Sequence, residues 1–218
     1  MAARVYAELR ERLVAGMLEP GQKLSLRTIA ERLGVSVQPV REAVSRLVAD
    51  RALVVLPNRA VRVPLLTLAQ FRELTAIRLV IEGYAAERAA TGRSARDLAA
   101  MRRHDAAFRR EREALAPDLG RAIAANQALH FTVYRAAGLA ELLPIIEGLW
   151  LRIGPVINLD LRAVGSRVRL AKSAQCHARL VAAIAAGRGP AARRALEDDI
   201  GGAAAHIASR GVLPATAT

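Results

Sequence analysis

Few residues in this chain have side chains suited to chemistry, and their spacing limits what they can do. There are four histidines, His104, His130, His177 and His206, and one cysteine, Cys176. Asn126 and His130 stand four apart, so on a helix they project from one face, one turn from each other. Arg78 and Glu82 share that spacing, which suits a helix-surface ion pair worth a few tenths of a kcal/mol. No Ser–His or Cys–His pair is evident, and no carboxylate stands where it plainly supplies a general base. Two readings of His130 and His177 follow from residue type alone. They line a pocket and are hydrogen-bonded within it, or they hold a catalytic metal in a metal-dependent enzyme. His104 follows Arg102-Arg103 and is expected to face solvent, and Cys176 reads as a buried structural thiol.

The rest of the composition narrows the class. In 218 residues, 53% are apolar, 24% charged and only 3% aromatic, which favours a mainly α, globular chain over a β-sandwich or barrel. A lone cysteine forms neither an internal disulfide nor a cysteine-based zinc cluster, so a reducing cytoplasm is expected. No apolar run approaches the ~18–20 residues of a membrane span, and MAARVYAELRER has no signal-peptide core, so no membrane partner is expected. The net charge is +13, of which residues 1–66 carry +5 (11 basic, 6 acidic) and residues 67–218 carry +8 (22 basic, 14 acidic). Such a balance suggests a polyanionic partner, nucleic acid first; a non-specific, nucleoid-type binder would satisfy it as well as a specific one.

Residues 1–65 read as one unit. Val5, Leu9 and Leu13 mark an amphipathic helix ended by Gly16, and Glu19-Pro20-Gly21 is a turn. Ser25 caps a helix from Leu26 to Leu33, stopped by Gly34. Ser36 caps a third, from Val37 to about Asp50, whose stripe Val40, Ala43, Val44 and Leu47 leaves Gln38, Arg41, Glu42 and Ser45 toward solvent. Two β-rich runs, Leu53–Leu56 and Val61–Val63, flank Pro57-Asn58-Arg59-Ala60 as a hairpin. Three helices and a terminal hairpin describe a winged helix-turn-helix, whose third helix enters the DNA major groove.

Residues 66–212 read as an all-α antiparallel helical bundle of six or seven helices. Thr67-x-x-Gln70 and Ser94-x-x-Asp97 are capping boxes; Ala116-Pro117-Asp118, Gly138, Gly165-Ser166 and Gly187-Arg188-Gly189-Pro190 punctuate the later helices. Gly154-Pro155 predicts a kink or break, and residues 213–218 a disordered tail.

Three strings carry a resemblance. Gly16-Met-Leu-Glu-Pro-Gly-Gln-Lys-Leu-Ser, Ile29-Ala-Glu-Arg-Leu-Gly-Val-Ser and Pro39-Val-Arg-Glu-Ala-Val-x-Arg-Leu47 resemble the N-terminal signature of GntR-type bacterial transcriptional regulators. Downstream, Arg78-Leu-Val-Ile-Glu82, Asn126-x-x-x-His130 and His177 resemble the ligand-sensing FCD domain of the FadR-like subfamily. The resemblance implies a homodimeric, operator-binding regulator, by default a repressor, that responds to a small molecule and does no catalysis.

It also implies roles for residues. Arg27, Ser36 and Arg41 match DNA-contacting positions, while Val37 stands where many members carry a base-reading arginine, leaving Gln38 or Val37 to read that step. Arg46, Arg59 and Arg62 are expected to anchor phosphates, and Ala60 replaces a wing-tip glycine. In the bundle the resemblance implies a divalent metal (Zn, Mn or Ni) on Asn126, His130 and His177. Asp199 falls where a histidine is usual, and His206 is an alternative ligand two turns further on. Arg78 is implied to face the effector, which favours a small organic acid, so the effector set is Arg78, Asn126, His130 and His177.

Overall fold

The computed structural model describes residues 1–57, 59–161 and 166–216. The N-terminal unit holds α1 (Ala2–Val14), β1 (Lys23–Leu24), α2 (Leu26–Leu33), α3 (Val37–Ala49), β2 (Val54–Val55) and β3 (Val61–Arg62). Ser25 accepts a hydrogen bond from the Thr28 amide to start α2, and Gly34, at φ 62°, closes it. Ser36 is the N-cap of α3 but makes no side-chain cap bond. The predicted inner stripe of α3 is buried, from 0% exposed at Val40, Ala43 and Leu47 to 4% at Val44.

The wing differs from expectation in three ways. Its sheet has three strands, ordered β1-β3-β2 and antiparallel throughout, with Lys23 and Val54 both opposite Arg62. The first hairpin strand starts one residue later than predicted, because the Leu53 amide is spent on the Leu47 carbonyl at the end of α3. The left-handed residue at the tip is Arg59 (φ 63°), not Ala60. A β-carbon there costs roughly 1–2 kcal/mol relative to glycine. Asn58 of the predicted turn lies outside the described residues.

The second unit holds α4 (Leu68–Gly92), α5 (Ala95–Glu113), α6 (Leu119–Ala136), α7 (Leu142–Leu161), α8 (Ser166–Ala185) and α9 (Gly189–Ser209). Both predicted capping boxes are present, Thr67 with Gln70 and Ser94 with Asp97. Asp118 caps α6 through the Arg121 amide. Gly165, expected to precede α8, is not among the described residues.

Two corrections follow. Helix α7 runs through Gly154-Pro155 without the break that was one of the two expectations there. Gly154 is where the end of α1 presses in: a Cβ there would lie 3.0 Å from the Leu13 and Val14 carbonyl oxygens. The tail is not free at its start either, since Leu213 packs on the bundle core and the Pro214 carbonyl accepts from the Leu68 amide at 3.0 Å.

The two units share a seam that no sequence pattern announced. Asn158 of α7 donates from Nδ2 to the Val14 carbonyl at 2.6 Å, in the interior. Gly16, at φ 63°, sits so close beneath it that a Cβ would fall 2.2 Å from the Asn158 Cβ. Arg10 pairs with Glu147 at 2.7 Å on the rim. The core follows suit, with Val5, Leu13 and Val14 joining Trp150 and Leu151 in one apolar cluster.

Candidate functional site

Two surfaces matter, one outside and one inside. Outside, Arg27, Ser36, Gln38 and Arg41 are exposed along α2 and the leading end of α3. Gln38 donates to Glu42 at 3.2 Å, and Val37 is half-buried against the core. Arg46 is exposed but lies over the Tyr6 ring at 4.2 Å, while Tyr6 donates to Asp50 at 2.7 Å. Arg59 is exposed at the wing tip, and Arg62, on the central strand, is half-buried.

Inside, all six helices of the bundle converge on a cavity of about 30 Å³, room for a metal ion and roughly one water. Its walls include Arg78, Asn126, His130, Trp150, Ser173 and Asp199. His130 and His177 are 2% and 0% exposed, Asp199 8%. The ligand atoms of His130, His177 and Asp199 lie within 4.8 Å of one another. His130 Nε2 is 3.2 Å and His177 Nε2 3.5 Å from the same oxygen, Asp199 Oδ2.

Proximity does not make these hydrogen bonds. His130 Nε2, both ring nitrogens of His177 and Asp199 Oδ1 have no hydrogen-bond partner among the described residues. A buried polar atom left so costs ~1–3 kcal/mol. Two imidazoles and a carboxylate aimed at one point fit a divalent cation, and this nitrogen-and-oxygen donor set suits Zn²⁺, Mn²⁺ or Ni²⁺. Asn126, one turn before His130 and in the same cavity wall, is placed to add a neutral oxygen. His206 is exposed and does not join the group formed by His130, His177 and Asp199.

Electrostatics agree. Burial raises the Asp199 carboxyl, but His177 and His130 outweigh it and hold the group well below its ordinary range. Burial pushes the His130 imidazole down, only partly offset by Asp199.

Arg78 stands in the cavity wall, the inward place the resemblance implied, and not on the helix surface. It is 4% exposed and forks onto Glu82, itself 0% exposed, with Nε 2.5 Å from Oε1 and Nη2 3.1 Å from Oε2. The pair is interior, not on the helix surface. Burial works against the Arg78 charge, and Glu82 more than compensates, leaving its pKa above the ordinary value. The Arg78 guanidinium also lies 5.2 Å from the Trp150 ring.

Sequence reasoning passed over Tyr134, Trp150 and Phe108. Tyr134 donates to Glu82 Oε2 and stands 3.0 Å from His130 Nδ1; Trp150 donates to the same Glu82 oxygen at 3.3 Å. Phe108 meets the His177 ring edge-on at 4.8 Å. The four-residue step from His130 to Tyr134 was a usable signal; nothing local pointed to Trp150 or Phe108. His104 is half-buried rather than solvent-facing, and burial and Arg103 lower its pKa. Cys176 is buried as expected, its thiol pushed up by burial.

A winged helix-turn-helix fused to a helical sensor bundle is the build of a DNA-binding regulator, and comparison with known proteins agrees. Residues 1–63 match the bacterial regulatory proteins of the gntR family, and residues 73–202 match the FCD domain. The HTH-type transcriptional regulator McbR of Escherichia coli (strain K12) is 32% identical over 164 residues, spanning 75% of this chain and 73% of McbR. The solved structure of E. coli McbR/YncC superposes with a TM-score of 0.88 at 29% identity, covering 96% of this chain and 97% of that one. The gluconate operon transcriptional repressor of Bacillus subtilis (strain 168) is 39% identical over 85 residues, 39% of this chain and 35% of its own. The chain belongs to the GntR family of bacterial transcriptional regulators and carries an FCD domain. It is a DNA-binding regulator and not an enzyme, which removes the metal-dependent enzyme as a reading. No helix among the described residues is long and apolar enough to cross a membrane.

Proposed function

We propose that this regulator is a metal-loaded, acid-sensing repressor that binds a pseudo-palindromic operator as a dimer in the cytoplasm. The observation that carries the sensing half is the convergence of His130, His177 and Asp199, with four buried atoms that no described residue satisfies. A divalent cation held there supplies a Lewis-acidic anchor for an effector carboxylate. The chain's own residues select the acid. Because Arg78 is already forked onto Glu82, the carboxylate is directed to the metal side of the pocket.

Reading of DNA falls to Arg27, Ser36, Val37, Gln38 and Arg41, with Arg46, Arg59 and Arg62 on phosphates. The exposure of Arg41 at the leading end of α3 supports this assignment. A second copy fits the outer face of α4, where Ile77, Val80 and Tyr84 are 37%, 61% and 44% exposed. Turned antiparallel about an axis between residues 80 and 81, that face sets Ile77 against Tyr84 and exposed Glu73 against exposed Arg88, so it is complementary to itself. Repression relieved by the acid is the sign we assign, in keeping with the repressors among the relatives.

The test is DNA selection from a random library, followed by titration of the recovered site. Arg41→Ala is expected to lose ~1–3 kcal/mol and relax sequence preference. Equal affinity of the wild type for unrelated DNA would reduce the protein to a non-specific binder, since counterion release is blind to sequence. Zinc-loaded protein should then release the site on addition of a small carboxylic acid, and His177→Ala should not.

A further inference from the structure

We propose that Tyr134, clamped by Glu82, is a positioning residue that fixes the tautomer of His130, keeping its proton on Nδ1 and turning the Nε2 lone pair toward the cation site. The inference rests on the metal reading above and adds to it the means by which the chain prepares one ligand.

The argument is a count of donors. Glu82 is enclosed by groups that give hydrogen bonds: Arg78 twice, the Trp150 indole at 3.3 Å and the Tyr134 hydroxyl. Paired with Arg78, its carboxylate only accepts. A phenol has one proton, and Tyr134 spends it on Glu82 Oε2. What remains for its neighbour on the other side, His130 Nδ1 at 3.0 Å, is an oxygen lone pair. Only an N–H can complete that contact, so Nδ1 carries the proton. In a neutral imidazole this leaves Nε2 bare, and Nε2 is the atom 3.2 Å from Asp199 with no hydrogen-bond partner among the described residues.

A bare nitrogen beside a carboxylate oxygen is repulsive until a cation lies between them. Charge runs the same way. Glu82 is neutralised by Arg78, so Asp199 is the carboxylate whose charge is left for the cluster. Every group in the relay is buried: Arg78 at 4%, Glu82 at 0%, Tyr134 at 2% and His130 at 2% exposure. Water therefore has little access to rearrange it. The ion pair on α4 is the base on which the ligand on α6 is oriented.

The experiment uses the full chain with ¹⁵N-labelled histidine, stripped of metal, and reads each ring's protonated nitrogen from long-range ¹H–¹⁵N spectra. His130 is expected as the Nδ1–H form, and in Tyr134→Phe that preference should be lost. In parallel, Zn²⁺ alone is titrated against a competing chelator, and Tyr134→Phe should bind about 10–100-fold more weakly with its helical spectrum intact. A wild-type His130 protonated on Nε2 alone would overturn the proposal, as would wild-type zinc affinity in folded Tyr134→Phe. If Tyr134→Phe fails to fold, the wild-type tautomer decides. If the wild type takes up no Zn²⁺, Mn²⁺ or Ni²⁺, the sensing reading fails by itself, and the tautomer spectrum still judges this one.

Discussion

At the scale of single residues, the sensor depends on a buried carboxylate, Asp199, with two histidines beside it. Ligand binding to the folded state alone stabilises it by mass action, ~2.7 kcal/mol at a hundredfold excess over Kd. Zn²⁺ is therefore expected to raise the melting temperature of the wild type, and to leave that of His177→Ala and Asp199→Asn where it was; differential scanning calorimetry with and without chelator checks this. A zinc-dependent rise in both variants would place the ion elsewhere. These residues were largely legible in advance, because spacing by four puts Asn126 and His130 on one face and the resemblance supplied His177 and Asp199. What spacing cannot say is which face points inward. Arg78 and Glu82 were seen as neighbours, but only the packing of α4 against α6 and α7 turns that pair into the floor of a polar relay. Tyr134 and Trp150 were hidden for the opposite reason, since a large aromatic on a helix reads as core until its polar end finds a partner.

At the scale of elements, caps and seams carry the argument. The Ser94–Asp97 box opens α5, and bonds from the Ser94 side chain and backbone lower the Asp97 pKa. Its folded value lies below its unfolded one, so this stability is present above about pH 4 and is lost as pH falls through the folded value. Ser94→Ala is expected to cost ~1 kcal/mol near neutrality and less under acid, read by urea melts at both conditions. An equal cost at pH 3 and pH 7 would remove Asp97 from the account. The α1–α7 seam has a different role. Trp150 and Ile157 line the cavity, while Gly154 and Asn158, on the same helix, hold the end of α1. Asn158→Ala leaves the Val14 carbonyl buried and unpaired at ~1–3 kcal/mol. It should also blunt the effect of zinc and acid on DNA affinity, measured by fluorescence anisotropy; undiminished coupling would route the signal through residues 64–67 instead. The seam was invisible in the sequence because its signals, a Gly-Pro inside a helix and a glycine after one, read locally as breaks. The third wing strand was missed because two residues hold no periodicity.

At the scale of the whole molecule, the charge of +13 and the pairing of copies set how the regulator meets DNA. Val80→Glu places like charges beside the proposed axis and should yield monomers by analytical ultracentrifugation, with operator affinity falling. Exchanging Glu73 and Arg88 together should preserve the dimer, whereas Glu73→Arg alone should weaken it. A dimer untouched by Val80→Glu would move the contact off α4. The class of protein was legible from hydrophobic periods and turn signals, which set three short helices and a hairpin ahead of a long helical run. How the halves lean on each other was not, because that contact joins residues some 140 positions apart.

That lean restricts which parts can be exchanged between relatives. Gly16 cannot take a side chain while Asn158 lies over it, and Gly154 cannot while the Leu13 and Val14 backbone presses against it. A reading head grafted from a cousin onto this sensor would need a matching glycine and a free carbonyl at the graft point. These three positions should therefore travel as a set, and chimeras that split them should express as two halves that no longer speak to each other.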